Sequence, residues 1–220
     1  MEIYIDSPHN RIMMNKSIIL MGIPSSGNTL VYNIYNHIFD KVISVKKIDK
    51  KYLTKNNYNV ITYRDPRSVL YSLCYYSCGD SIDFYNNNKF KITEEMIKEN
   101  IGDVVNYFNQ MNKFINAKFI SDTIFLKYES FVNCYDTIFN SLLDINEDIN
   151  LSYEEKIHIT GKFCKNNKNQ LDNYLDGKEI VDEWEHKIPR RFHDYINTVL
   201  YIPITEWGYN VKGQNITNFY

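Results

Sequence analysis

Apolar residues first gather at Ser17–Ile23 (SIILMGI), a short run with β-branched members that breaks at Pro24-Ser25-Ser26-Gly27. A buried strand entering a tight loop has this form. From Asn28 to Phe39 the apolar positions change period: Leu30, Val31, Ile34, Tyr35 and Ile38 recur at helical spacing. Lys41–Ile48 alternates as a second strand, and Asn59–Tyr63 (NVITY) is a third that runs into Arg64-Asp65-Pro66. Asp65 as N-cap with Pro66 at the first helical position predicts a helix over Arg67–Tyr76. Ser77–Lys91, with Gly79, Asp80 and Asn86-Asn87-Asn88, has little to bury and reads as a loop. Ile92–Ala117 carries a long amphipathic pattern for one or two helices, and Thr123–Lys127 (TIFLK) is another buried strand. Tyr128-Glu129-Ser130 follows, then a helix near Phe131–Leu143. Helices near Tyr153–Cys164 and Pro189–Leu200 flank a stretch rich in lysine and asparagine. Strands alternating with helical segments imply an α/β fold whose mostly parallel sheet is covered on both faces, with helical additions at the C-terminal end.

Composition narrows the function classes. The chain has 220 residues, 44% of them hydrophobic and 24% charged, which is enough apolar material for a core and excludes a disordered or fibrous protein. One domain spanning 1–220 is the expectation. Lys+Arg 25 against Asp+Glu 27 leaves a formal charge of -2, so no global field marks a nucleic-acid or membrane-surface binder. Any anion site must be local. No run approaches the ~20 apolar residues of a membrane span, and the polar opening Met1–Lys16 lacks a signal-peptide layout, so a cytoplasmic protein is expected. Cys74, Cys78, Cys134 and Cys164 form no CxxC pattern and read as free thiols, with neither a disulfide framework nor a metal site expected.

Gly22-Ile23-Pro24-Ser25-Ser26-Gly27-Asn28-Thr29 has P-loop spacing and lies between a predicted strand and helix, but Asn28 stands where the P-loop has lysine. Backbone N–H groups and a helix N-terminus cradle a phosphate without side-chain charge. The lysine serves the β/γ-phosphates of a triphosphate, so this loop suits a phosphate better than it suits ATP hydrolysis or kinase chemistry. A second element points the same way. Arg64 ends a strand, and Ser72 follows eight residues later, about two helical turns along the next helix. An arginine at the carboxyl edge of a strand can face the crevice where α/β sheets bind ligands.

On these residues the sequence resembles the PAPS-dependent sulfotransferases, whose donor is 3'-phosphoadenosine 5'-phosphosulfate. Pro24-Ser25-Ser26-Gly27-Asn28-Thr29-Leu30 is similar to the family's first motif, Pro-Lys-Ser-Gly-(Thr/Asn)-Thr-Trp, which implies a grip on the 5'-phosphosulfate. Val60 to Ser72 resembles the second motif and keeps the Arg-to-Ser interval of eight, which implies that Arg64 and Ser72 bind the 3'-phosphate. Phe125–Phe131 looks like the family's strand ending in Tyr-Glu-Asp, which would place Tyr128 near the adenine. Lys178 precedes Trp184 by the family's interval of six and would close over the 3'-phosphate, although Gly177 and Glu179 depart from the motif. The resemblance covers roughly Ser17 to Trp184. It implies a P-loop-type parallel sheet, PAPS as donor with PAP as product, no metal, and a small-molecule or glycan acceptor bearing a hydroxyl or amine.

The departures fall on the catalytic positions. Ser25 stands where the family has a cation at the leaving group. The family's Lys-x-His strand corresponds best to Val45-Lys46-Lys47-Ile48-Asp49-Lys50, with Lys46 on the lysine and Ile48 on the histidine. Asp49 is the adjacent carboxylate, so Lys46 with Asp49 is the expected catalytic pair; a shift of one residue would pair Lys47 with Asp49. His9, His37, His158, His186 and His193 read as surface or structural, with His186 the second candidate base. Sulfuryl transfer needs in-line attack and charge stabilisation on the transferring oxygens, which a loop cradle and a separate phosphate grip would supply. A donor binder that has lost turnover and a P-loop nucleotide kinase are the rival readings.

Overall fold

A computed structural model describes residues 11–45, 47–77, 91–116, 122–164 and 183–211. The chain divides into two compact units. One takes the described residues up to Arg64 and those from Gln110 to Cys164; the other takes Asp65 to Asn109 and the residues from Glu183 onward.

The first unit is built on four parallel strands in the order β2-β1-β3-β4: β1 Ser17–Gly22, β2 Val42–Ser44, β3 Asn57–Tyr63 and β4 Asp122–Lys127. The expected α/β class with a parallel sheet is what forms. The chain winds from β1 to β2 on one side and crosses to β3 on the other, so the β1/β3 boundary is the topological switch point, where open α/β sheets bind ligands beyond the carboxyl ends of their strands. Register fixes what emerges there. Gly22 pairs with Thr62 and Tyr63 with Lys127, so the segments that begin at Ile23, Arg64 and Tyr128 leave the sheet at one edge.

Helices α1 (Asn28–Ile38), α4 (Tyr128–Asn133), α5 (Asp136–Leu143) and α6 (Tyr153–Cys164) belong to this unit. Its core joins Ile18, Leu20, Val60 and Leu126 from the sheet to Val31, Ile34, Tyr35 and Ile38 of α1 and to Phe131, Ile138, Phe139 and Leu142. Ile19, Met21 and Ile61, on the opposite sheet face, are buried as well. Strands buried on both faces read as continuous apolar runs, which is why β1 and β3 were visible in the sequence. Inside the core the Tyr35 hydroxyl donates to Ser141 Oγ at 2.6 Å, and the Ser141 hydroxyl in turn donates to the Ile138 carbonyl at 2.6 Å. Burial pushes the Tyr35 phenol far above its ordinary pKa, so it stays neutral.

The structure departs from the expected elements at two places. Lys41–Ile48 is not one strand: only Val42–Ser44 pairs with β1, Ile48 is buried, and a 3₁₀ turn over Lys50–Tyr52 begins at Asp49. The helix near Phe131–Leu143 is two, because Cys134 is extended (φ -154, ψ 101) and ends α4 before α5 starts.

The second unit holds α2 (Pro66–Tyr76), the part of α3 (Glu94–Asn116) up to Asn109, and α7 (Glu183–Lys187), α8 (His193–Val199) and α9 (Tyr201–Glu206). Asp65 caps α2 as expected, its carboxylate accepting from the Arg67 amide at 2.8 Å with Pro66 at the first turn. Arg67 donates to both Asp65 oxygens, Nε at 2.9 Å and Nη2 at 2.6 Å, and its guanidinium lies 4.3 Å from the Trp184 ring centre. Among the described residues no helix is long and apolar enough to cross a membrane. Cys74 and Cys134 are free thiols.

Candidate functional site

The loop after β1 is a turn held by its own hydroxyls. The Ser26 amide donates to the Ile23 carbonyl at 3.3 Å, and the Ile23 amide donates to the Thr62 carbonyl at 3.2 Å. The Ser26 hydroxyl is fully buried, donates to the Ile23 carbonyl at 2.7 Å and lies 2.7 Å from Thr62 Oγ1. Closing the turn puts Ser25 at φ 59 and Gly27 at φ 75. The first is a left-handed serine, a conformation that costs a non-glycine residue about 1–2 kcal/mol and that clusters at functional sites. Gly27 needs to be glycine twice over: its φ is positive, and a Cβ there would meet the Phe131 ring at 2.6 Å.

Gly27 is the N-cap of α1 and supplies no side-chain cap, so the amides of Asn28, Thr29 and Leu30 start the helix without a side-chain acceptor. With the macrodipole, these N–H groups favour an anion. Of the loop residues expected to bind the donor, Thr29 is exposed, whereas the Leu30 side chain packs against the core and leaves only its backbone for a ligand. Asn28, in the lysine position, donates weakly from Nδ2 to Ser44 Oγ of β2 at 3.5 Å, and its Oδ1 is buried without a partner.

Arg64 emerges from β3 beside this loop. Its guanidinium donates from Nη1 to the Ser25 carbonyl at 3.3 Å and lies 4.3 Å from the centre of the Tyr128 ring. The residue is 8% exposed, its Nε has no hydrogen-bond partner, and among the described residues no carboxylate comes within ion-pair distance of it. A buried charge without a counter-ion is strongly disfavoured, and a bound anion removes the penalty. Tyr128 opens α4 with its ring edge-on to Phe131 at 5.4 Å, so the guanidinium, the glycine and two aromatic rings form one cluster. Such a cluster can hold a phosphate or sulfate beside a flat apolar group.

The structure thus brings Ser25, Ser26, Gly27, Arg64 and Tyr128 together. Ser72 belongs to the second unit, where it is buried on α2 and its hydroxyl donates to the Ser68 carbonyl at 3.0 Å. Asp49 is engaged otherwise than expected. Its Oδ1 accepts from the Lys51 amide at 3.0 Å and its Oδ2 pairs with the Lys51 ammonium at 3.4 Å. The backbone bond first, then the ammonium, holds this carboxyl below its ordinary range, which weakens it as a base. Lys47 is exposed, and Ile48, at the family's histidine position, is buried and has no proton to move. Lys46 and Lys178 lie outside the described residues. His186 is exposed, the His193 ring lies 5.0 Å from that of Trp184 and tilted to it by 59°, and His37 meets the Phe163 ring edge at 5.6 Å.

Sequence reasoning missed Thr62 and Phe131. Thr62 hid within an apolar strand and Phe131 within an amphipathic helix. The signal for Thr62 is its register opposite Gly22, which needs the pairing of two strands distant in sequence. No protein-family model matches this chain, and no curated protein shows significant similarity to it.

Proposed function

We propose that this chain grips a PAPS-type nucleotide at the β1–α1 loop and Arg64 and passes its sulfuryl group in line to a hydroxyl or amine acceptor. The observation that carries the reading is the Arg64 guanidinium: buried, without a carboxylate partner among the described residues, and hydrogen-bonded to the loop whose helix-starting amides carry no side-chain cap. The chemistry of the grip follows. Amides at the start of α1 take the oxygens of one anionic group, Arg64 takes those of a phosphate, and the Tyr128 face offers a surface for a flat ring. The family resemblance supplies the choice among nucleotides, assigning Arg64 to the 3'-phosphate. Asn28 in place of the P-loop lysine argues against a triphosphate and therefore against the kinase reading.

A second reading, a protein that keeps the donor site without turnover, is favoured by Ile48 at the position of the base and by Asp49 held in its cap. The two share one binding test and part on a second. Adenosine 3',5'-bisphosphate should raise the melting temperature in a concentration-dependent way, and Arg64→Ala should abolish that rise. A response to ATP with none to the bisphosphate would overturn the nucleotide assignment. Radiolabelled PAPS with a panel of hydroxyl and amine acceptors then decides between transfer and binding alone.

A further inference from the structure

We infer that Thr62 and Ser26 are positioning residues, a pair of buried hydroxyls that sets the anion affinity of the β1–α1 loop without touching the ligand. The inference rests on the reading of that loop as an anion site.

Gly22 shows how the pair is housed. Its own φ is not in the left-handed region, so what its lack of a side chain provides is room: a Cβ at Gly22 would overlap Thr62 Oγ1 and stand 2.9 Å from Ser26 Oγ. The space left empty by the glycine is filled by the two hydroxyls. Both residues are fully buried, so neither hydroxyl has water as an alternative partner. The protons can be assigned without conflict. The one Ser26 hydroxyl proton faces two carbonyls, Ile23 at 2.7 Å and Thr62 at 3.1 Å, and goes to the nearer, which leaves the Ser26 oxygen to accept from Thr62 Oγ1, also at 2.7 Å.

This chain of two bonds runs from the end of β3 into the loop and back to the start of the loop. It lies beside the backbone bonds Ile23 N–H to Thr62 and Ser26 N–H to Ile23, and the four together close residues 23–26 into a turn. That turn sets the left-handed Ser25, whose carbonyl meets Arg64, and the left-handed Gly27, from which the amides of α1 start. Ser26 itself has both its amide and its hydroxyl engaged inside the protein, so its contribution to binding is to hold the neighbouring amides in place. Preorganised donors bind an anion without the cost of ordering the loop at the moment of binding.

The test uses the whole chain and two probes, inorganic sulfate and adenosine 3',5'-bisphosphate, with affinity read by calorimetry and stability by thermal unfolding of the unliganded protein. Thr62→Val keeps the shape and removes the hydroxyl; it should weaken the bisphosphate about tenfold, the scale of one buried hydrogen bond. Thr62→Ser should restore affinity to near the wild-type value, and sulfate should follow the same order. A Thr62→Val protein that loses stability yet binds as tightly as wild type would overturn the inference, since the hydroxyls would then be structural only. Should Thr62→Val not fold, Ser26→Ala removes the same bond from the loop side and is judged by the same criterion. Failure of the anion reading looks different: wild type itself would then bind neither probe, and Arg64→Ala would change nothing.

Discussion

Two buried arginines stand three positions apart, at the end of β3 and at the start of α2, and they have opposite surroundings. Arg67 is 2% exposed and fully answered: it makes a bidentate pair with Asp65, a 3.4 Å bond from Nη1 to Asn197 Oδ1, and a stack on Trp184. Arg64 is 8% exposed and is answered by one carbonyl and one ring, with no carboxylate partner among the described residues. Desolvation penalises both. The first charge is neutralised by the fold and so serves the fold; the second has no carboxylate partner among the described residues, and the proposed anion site rests on that difference.

The comparison breaks most visibly at Arg67. Arg67→Met strands the Asp65 carboxylate in the interior, which costs on the order of 3–5 kcal/mol, and it should lower the melting temperature by more than about 6 °C. Adding Asp65→Asn should return part of that loss, because the stranded charge is then gone. A single variant as stable as wild type would mean that the pair is not what anchors the start of α2. At Arg64 the expectation reverses. Arg64→Met removes a charge that no carboxylate among the described residues neutralises, so the unliganded protein should melt within about 3 °C of wild type, in either direction, while its response to adenosine bisphosphate disappears. Loss of stability on the scale of Arg67→Met would make Arg64 a structural residue and remove the contrast. Gly27→Ala lies between them. It places a Cβ against Phe131 and forces alanine into a left-handed backbone, and unfolding should show a loss of about 1–3 kcal/mol.

The same contrast explains what could be read from the sequence. β1, β3, β4 and α1 were legible because their apolar residues carry the period, and α6 was predicted with the bounds it has. Asp65 as cap was legible because a cap is local, two residues from the amide it accepts. The family-like spacing likewise singled out Arg64 and the glycine loop as candidates, and the structure sets them side by side. What stayed hidden depended on register or on competition. Thr62 acquires its role only once Gly22 is opposite it, and nothing within either segment announces that pairing. Arg67 at the first turn of a helix carries no local sign of burial; Trp184, more than a hundred residues later, covers it. Lys41–Ile48 alternated like a strand, but the bond from the Lys51 amide to Asp49 turned the chain soon after β2 left the sheet. That bond also engages the expected base in a turn and lowers its pKa, which no pattern of residue types announces.

Asp49 supplies the smallest effect and completes the series, as a charge that is paired but exposed. Its folded pKa is depressed, so any stability it gives is present above the ordinary carboxylate pKa of about 4 and is lost as pH falls through the lower folded value. The partner Lys51 is itself 65% exposed at its side chain, and exposed pairs contribute little because water screens them and both side chains lose freedom. Asp49→Asn keeps an oxygen that can accept from the Lys51 amide. It should therefore leave the melting temperature at neutral pH nearly unchanged, with whatever small deficit exists vanishing once the pH falls below the lowered folded pKa. Against this flat background a transfer assay becomes sharp. Were sulfuryl transfer detected and then lost in Asp49→Asn, with stability and bisphosphate affinity intact, the carboxylate would have to leave its cap during turnover, and the assignment of Asp49 to the turn alone would fall.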